Sequence, residues 1–225
     1  MVSLRGLDSQ RSMPVPVASH IEVLGTLLEF RDEAVAALDR EAAPVYRFIT
    51  SRLANTSDVS TDPVFQFVFR SYYRLDNAGL GEKFKVEYFR LLQQQRGCQQ
   101  PIALHDVCHT LAQYETRRQK QSLQFSFATK LIATLDPEMP IYDSYVASVF
   151  GFNPPYHVKD FSRRLGRFVI FYEELCTTCR WLTAQTEFVS IEEAFAVTNE
   201  EWYQLPKMKR VDFVLWATGK AIEQG

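Results

Sequence analysis

Lys130 and Asp143 are the residues of this chain whose types and order best suit covalent chemistry. A lysine amine, once deprotonated, attacks an electrophilic carbon and forms a Schiff base. A carboxylate at the same place stabilises positive charge as it develops. Lys130 lies in the stretch QFSFATKLIATL. On helical geometry Phe125, Phe127, Ala128, Leu131, Ile132 and Leu135 form a broad apolar face centred near Leu135, and Lys130 falls nearly opposite with Ser126 and Thr134. A proline-bracketed loop, DPEMPI, then brings in Asp143 at what reads as a helix start. A lysine and an aspartate on neighbouring helix ends can line one cleft. Taken singly, Lys130 also reads as a solvated surface lysine and Asp143 as a helix N-cap. The cap role is compatible with chemistry at the same carboxylate.

The order Thr129-Lys130 in a small-residue helix, followed by Pro140-Ile141-Tyr142-Asp143, resembles the helix-hairpin-helix DNA glycosylases over residues 123–151. The likeness is to their 8-oxoguanine glycosylase branch. The resemblance implies an all-α, DNA-glycosylase-like fold and base excision from DNA, with Lys130 attacking the sugar C1′ and Asp143 stabilising the charge that develops there. The family's hairpin is a glycine-containing turn whose amides grip a phosphate. Here that place reads Leu123-Gln-Phe-Ser-Phe-Ala128, so the hairpin is degenerate, and Tyr142 is inserted in the family's Pro-Val-Asp element. No metal or organic cofactor is expected. The iron–sulfur cluster of some glycosylases needs four closely spaced cysteines, which this chain lacks.

Other groups could support such chemistry. Arg117, Arg118 and Lys120, and Arg163, Arg164 and Arg167, bracket the Lys130–Asp143 stretch and are candidate phosphate contacts; Lys207, Lys209 and Arg210 form a third basic cluster. The plain alternative for each is a solvated helix end. Arg70 and Tyr73 sit in a helix that alternates rings and guanidinium groups, which suits a slot for a flipped base; an aromatic stripe at helical spacing is also what a core looks like. Cys176-Thr-Thr-Cys179 falls inside a long helical pattern with no second pair of similar spacing, so small core cysteines are the reading. His105 and His109 stand at i,i+4 spacing but without the glutamate of a zinc-protease motif.

The elements that must position these groups are helical throughout. Apolar residues recur at three-and-four spacing over 20–38, 43–53, 63–75, 83–95, 101–118 and 161–184. Asp62-Pro63 reads as an N-cap followed by proline at the first helical position. Ser190 to Glu193 reads as a capping box for a helix that reaches about Leu205. A last helix over 207–218 is expected to stop at Gly219. Strand alternation is almost absent.

The bounds agree. A chain of 225 residues, 46% hydrophobic with 17 Phe and 10 Tyr, can build a real core as one domain or two interlocked lobes behind an N-terminal arm, residues 1–19, read as flexible. A net charge of −2 announces no bulk affinity for nucleic acid, so a DNA partner requires a local patch. No membrane-length apolar run or secretory signal is read, and the cysteine usage suggests a reducing, cytoplasmic setting. The function expected is a DNA glycosylase, with or without lyase activity. A non-catalytic nucleic-acid or modified-nucleotide binding protein, and a helical interaction module, are the alternatives.

Overall fold

Capping and apolar periodicity together set the helices of this chain, and a computed structural model describes residues 17–98, 102–117 and 121–225. Among these residues 69% are helical and none lies in a strand. An isolated antiparallel bridge joins Leu80 to Thr116. The N-terminal arm, residues 1–19, lies largely outside the described residues; of it, Ser19 is the N-cap of the first helix, closing a capping box with Glu22. The helices are α1 (His20–Glu29), α2 (Arg31–Ala37), α3 (Ala42–Asn55), α4 (Pro63–Tyr72), α5 (Glu82–Gln95), α6 (Leu104–Ala112), α7 (Phe125–Leu135), α8 (Ser144–Val149), α9 (Phe161–Leu182), α10 (Thr186–Thr198) and α11 (Lys207–Gln224). Short 3-10 turns cover Leu75–Ala78 and Trp202–Gln204. They fall into two compact units, residues 45–136 and residues 17–44 with 137–225.

The first unit is built on rings. Phe65 and Phe69 of α4 meet the rings of α5, Phe65 at 6.1 Å from Phe89, and Phe69 at 5.7 Å from Tyr88 and 5.5 Å from Phe89, centroid to centroid. Phe84 of α5 meets Phe127 of α7 edge-on. Tyr88 is wholly buried, and its hydroxyl donates to the Phe127 carbonyl oxygen at 3.1 Å, which satisfies the one polar atom that such a ring brings inside. Asp62 caps α4 by accepting the Val64 and Phe65 amides, and Arg52 of α3 clamps the same carboxylate at 2.6 Å. Cap and ion pair together hold Asp62 down to about 2, the arginine contributing most.

The second unit is organised around α11, which packs on α8, α2, α9 and α1. Its Gly219 lies against the Tyr145 backbone of α8. A Cβ there would sit 2.9 Å from Tyr145 Cα and closer still to its carbonyl oxygen. The helix runs through this glycine to Gln224, so Gly219 is not the stop expected from sequence. It is a point of close helix approach that no side chain would allow.

Other boundaries also differ from the periodic pattern. The first helix breaks at Phe30, which frees α2 to pack on α11 while α1 reaches α9. The pattern over 101–118 is helical only to Ala112, because the chain then turns to bring Arg117 N–H to the Gly79 carbonyl at 2.7 Å. Ser190 lies inside α10, donating to the Glu187 carbonyl, and is not a cap. That helix ends at Thr198, where Asn199 is extended and its buried side chain donates back to the Phe195 carbonyl.

Candidate functional site

Lys130 sits mid-way along α7, and every residue from Phe127 to Thr134 is buried. The sequence pattern put Lys130 on the polar side of an amphipathic helix. In the fold α7 packs against both α5 and α6, and the lysine is only 9% exposed. Its Nζ donates to the Tyr73 carbonyl oxygen at 3.4 Å and lies 4.9 Å from the centroid of the Phe127 ring. The flanking polar side chains turn onto their own helix: Thr129 donates to the Ser126 carbonyl and Thr134 to that of Lys130. Tyr73 ends α4, and Arg74 after it is left-handed at φ 57°, a conformation that costs a non-glycine residue energy.

The groups read as a base slot have other commitments. Tyr73 is buried, its ring 4.6 Å from Phe69 and 4.8 Å from Tyr72. Arg70 lies 3.3 Å from Asp76, which also accepts from Lys85 at 2.9 Å. Lys85 does most to hold the Asp76 carboxyl below the usual carboxylate range, with Arg70 and Arg117 adding to it. Arg117 is exposed. Arg118 and Lys120 lie outside the described residues.

In the second unit, Asp143 is the N-cap of α8, accepting the Tyr145 amide at 3.2 Å. It is half-buried. The loop before it is pinned from two sides. Tyr172 of α9 donates to the Pro140 carbonyl at 2.7 Å, and Asp212 of α11 accepts the Ile141 amide at 2.9 Å. Tyr142 stands edge-on to Phe152, Phe168 and Phe171. Asp212 is itself paired with Lys209 at 3.1 Å, both side chains buried, and burial pushes its carboxyl up against the pull of that lysine. Sequence reasoning missed this support. Its trace was the i,i+3 spacing of Lys209 and Asp212 beside the apolar run of α11.

The third basic cluster is committed to contacts within the fold, with Lys209 buried, Arg210 half-buried and Lys207 exposed. Lys209 pairs with Asp212, Arg210 with the buried Glu192 at 3.2 Å, and Lys207 donates to the Thr183 carbonyl. The cluster on α9 is outward. Arg163 and Arg167 are exposed and Arg164 is half-buried, in the first two turns after the Asp160 cap, with Arg167 at 3.5 Å from His157.

No family model, no curated protein and no solved structure matches this chain. The site rests on its own geometry.

Cys176 and Cys179 are buried in α9, where burial pushes the Cys176 thiol up to about 12 and that of Cys179 well above its ordinary value. They are core thiols rather than thiolate ligands. Among the described residues no three His, Cys, Asp or Glu side chains converge to hold a metal, and no helix is long and apolar enough to cross a membrane.

Proposed function

We propose that this chain is a DNA base-excision glycosylase with abasic-site lyase activity, in which Lys130 is the amine nucleophile and Asp143 the supporting carboxylate. The burial of Lys130 within α7 carries the reading. A buried Nζ that donates to a backbone carbonyl is held in a defined place, and the amine attacks in its neutral form. The fixed loop ahead of Asp143 supports it too, since a catalytic carboxylate gains from being held before substrate arrives.

The chemistry balances without a cofactor. The Nζ lone pair adds to C1′ of a nucleotide turned out of the stack, and the glycosidic C–N bond breaks. The base leaves with the bonding pair and takes a proton. Asp143 stabilises the positive charge on the sugar as that bond lengthens. Ring opening transfers a proton to O4′ and leaves an iminium between Nζ and C1′. Loss of a C2′ proton then expels the 3′ phosphate.

Borohydride trapping on duplexes carrying 8-oxoguanine, uracil or an abasic site tests this. The expected result is a covalent adduct with the wild-type chain and none with Lys130→Ala or with Lys130→Met, which preserves the buried volume. An adduct that persists in Lys130→Met, with helicity unchanged, assigns the nucleophile elsewhere. No adduct on any duplex removes the lyase.

A second reading, a non-catalytic nucleic-acid binding protein on the same helical frame, is favoured by the α9 arginines. Cations in the first turns of a helix oppose its dipole and cost stability, so Arg163, Arg164 and Arg167 stand where positive potential is already high. Such a field attracts phosphates. Salt-dependent DNA binding without an adduct selects this reading. Absence of both leaves a helical interaction module.

A further inference from the structure

We propose that His105 and His109 of α6 form a surface chelate for one divalent first-row transition ion, with copper(II), nickel(II) and zinc(II) as the class it takes. The two imidazoles lie one helical turn apart with ring centroids at 4.3 Å, and their Nε2 atoms approach to 3.2 Å. Both residues are exposed. With metal–nitrogen bonds of about 2.0–2.1 Å, two nitrogens at that separation subtend roughly 100° at the ion. That lies between the right angle of square-planar or octahedral coordination and the tetrahedral angle, so the bite suits all three ions. Water completes the coordination.

The neighbouring carboxylate strengthens the assignment. His105 Nδ1 faces Asp106 Oδ1 at 3.5 Å. A carboxylate on that side of the ring favours the Nδ1–H tautomer, which leaves Nε2 as the lone-pair nitrogen. The same 3.2 Å separation fits an N–H···N hydrogen bond between the rings, in which case the proton occupies the place the metal would take. To bind the ion both rings present a bare Nε2, the shared proton moving to the Nδ1 of its own ring; only neutral imidazole ligates, so acid competes with the ion. The site also ties together one turn of a helix whose N-cap, Ala103, supplies no side-chain cap. Metal binding therefore raises the stability of α6 through mass action on the folded state.

The test is calorimetric titration of the full chain, purified without a polyhistidine tag, with nickel(II) and zinc(II) at about pH 7.5 and about pH 5. A single-site event at the higher pH, weakened about tenfold or more in His105→Gln and in His109→Gln, is the expected result. His157→Gln, placed on a different element beside Arg167, retains it. Magnesium produces no event, because imidazole is a poor partner for a hard cation. The proposal is overturned if neither ion binds, if both single-histidine variants bind as tightly as the wild type, or if affinity is the same at both pH values. Since both side chains are exposed, the variants fold, and a far-ultraviolet spectrum confirms it.

Discussion

The Asp212 carboxylate on α11 accepts the backbone N–H of Ile141 at 2.9 Å while paired with Lys209 at 3.1 Å. One buried charge thus satisfies a buried amide and a buried ammonium together. Removing it takes this acceptor from both. Asp212→Ala is expected to cost about 3–5 kcal/mol in urea unfolding, the range for an ion pair broken from one side. Asp212→Asn, which keeps an acceptor for Ile141, costs less, and adding Lys209→Met to it recovers part of the loss. Equal costs for Ala and Asn would show that the amide contact contributes little.

Gly219 and Gly166 make a controlled pair. Both are helical, but a Cβ at Gly219 meets the α8 backbone, whereas one at Gly166 meets nothing within 4 Å. Gly219→Ala forces α8 and α11 apart and is expected to destabilise by about 3 kcal/mol or more. Gly166→Ala is expected to stabilise by about 0.5–1 kcal/mol through helix propensity. Thermal melts of the two variants should move in opposite directions.

Asp62 gives the first unit an acid-sensitive cap. Its folded value is lowered to about 2, with the Arg52 hydrogen bond the largest cause. An unfolded aspartate titrates near about 3.9. The stabilisation is therefore complete above about pH 4 and is lost as pH falls from there toward 2. Asp62→Asn should flatten the pH dependence of stability in that window and leave the region above it parallel to wild type.

The α9 arginines trade stability for charge. Arg163→Ala removes a cation from the first turn and is expected to raise helix stability by about 0.3–1 kcal/mol. If the exposed Arg163 and Arg167 contact phosphates, each substitution weakens DNA binding and lowers the slope of log affinity against log salt by about 1. A melting temperature that rises while binding falls is the signature. Unchanged binding in the double variant would remove these residues from the interface.

Periodicity alone made the helices legible, because an amphipathic helix writes its buried face into spacing. It placed α4, α5 and α9 to within a few residues, and it marked Asp62 and Asp143 as cap candidates because short carboxylates there satisfy amides the helix leaves open. It could not foresee the breaks at Phe30 and Ala112, where packing of α2 on α11 and the Arg117–Gly79 contact override local preference.

What the sequence determined by itself is a helical pattern, an aromatic core and two of the caps, Asp62 and Asp143, all of them local properties. The tertiary structure alone decided that Lys130 is buried. Spacing assigns one apolar face to α7, but a helix held between α5 and α6 buries its other side too, and the Tyr73 carbonyl that meets the amine is 57 positions away in sequence. It also decided that Gly219 is a contact rather than a stop, and that Asp212 holds the loop before Asp143. Those facts depend on which surfaces meet, and no local pattern encodes a meeting between distant segments.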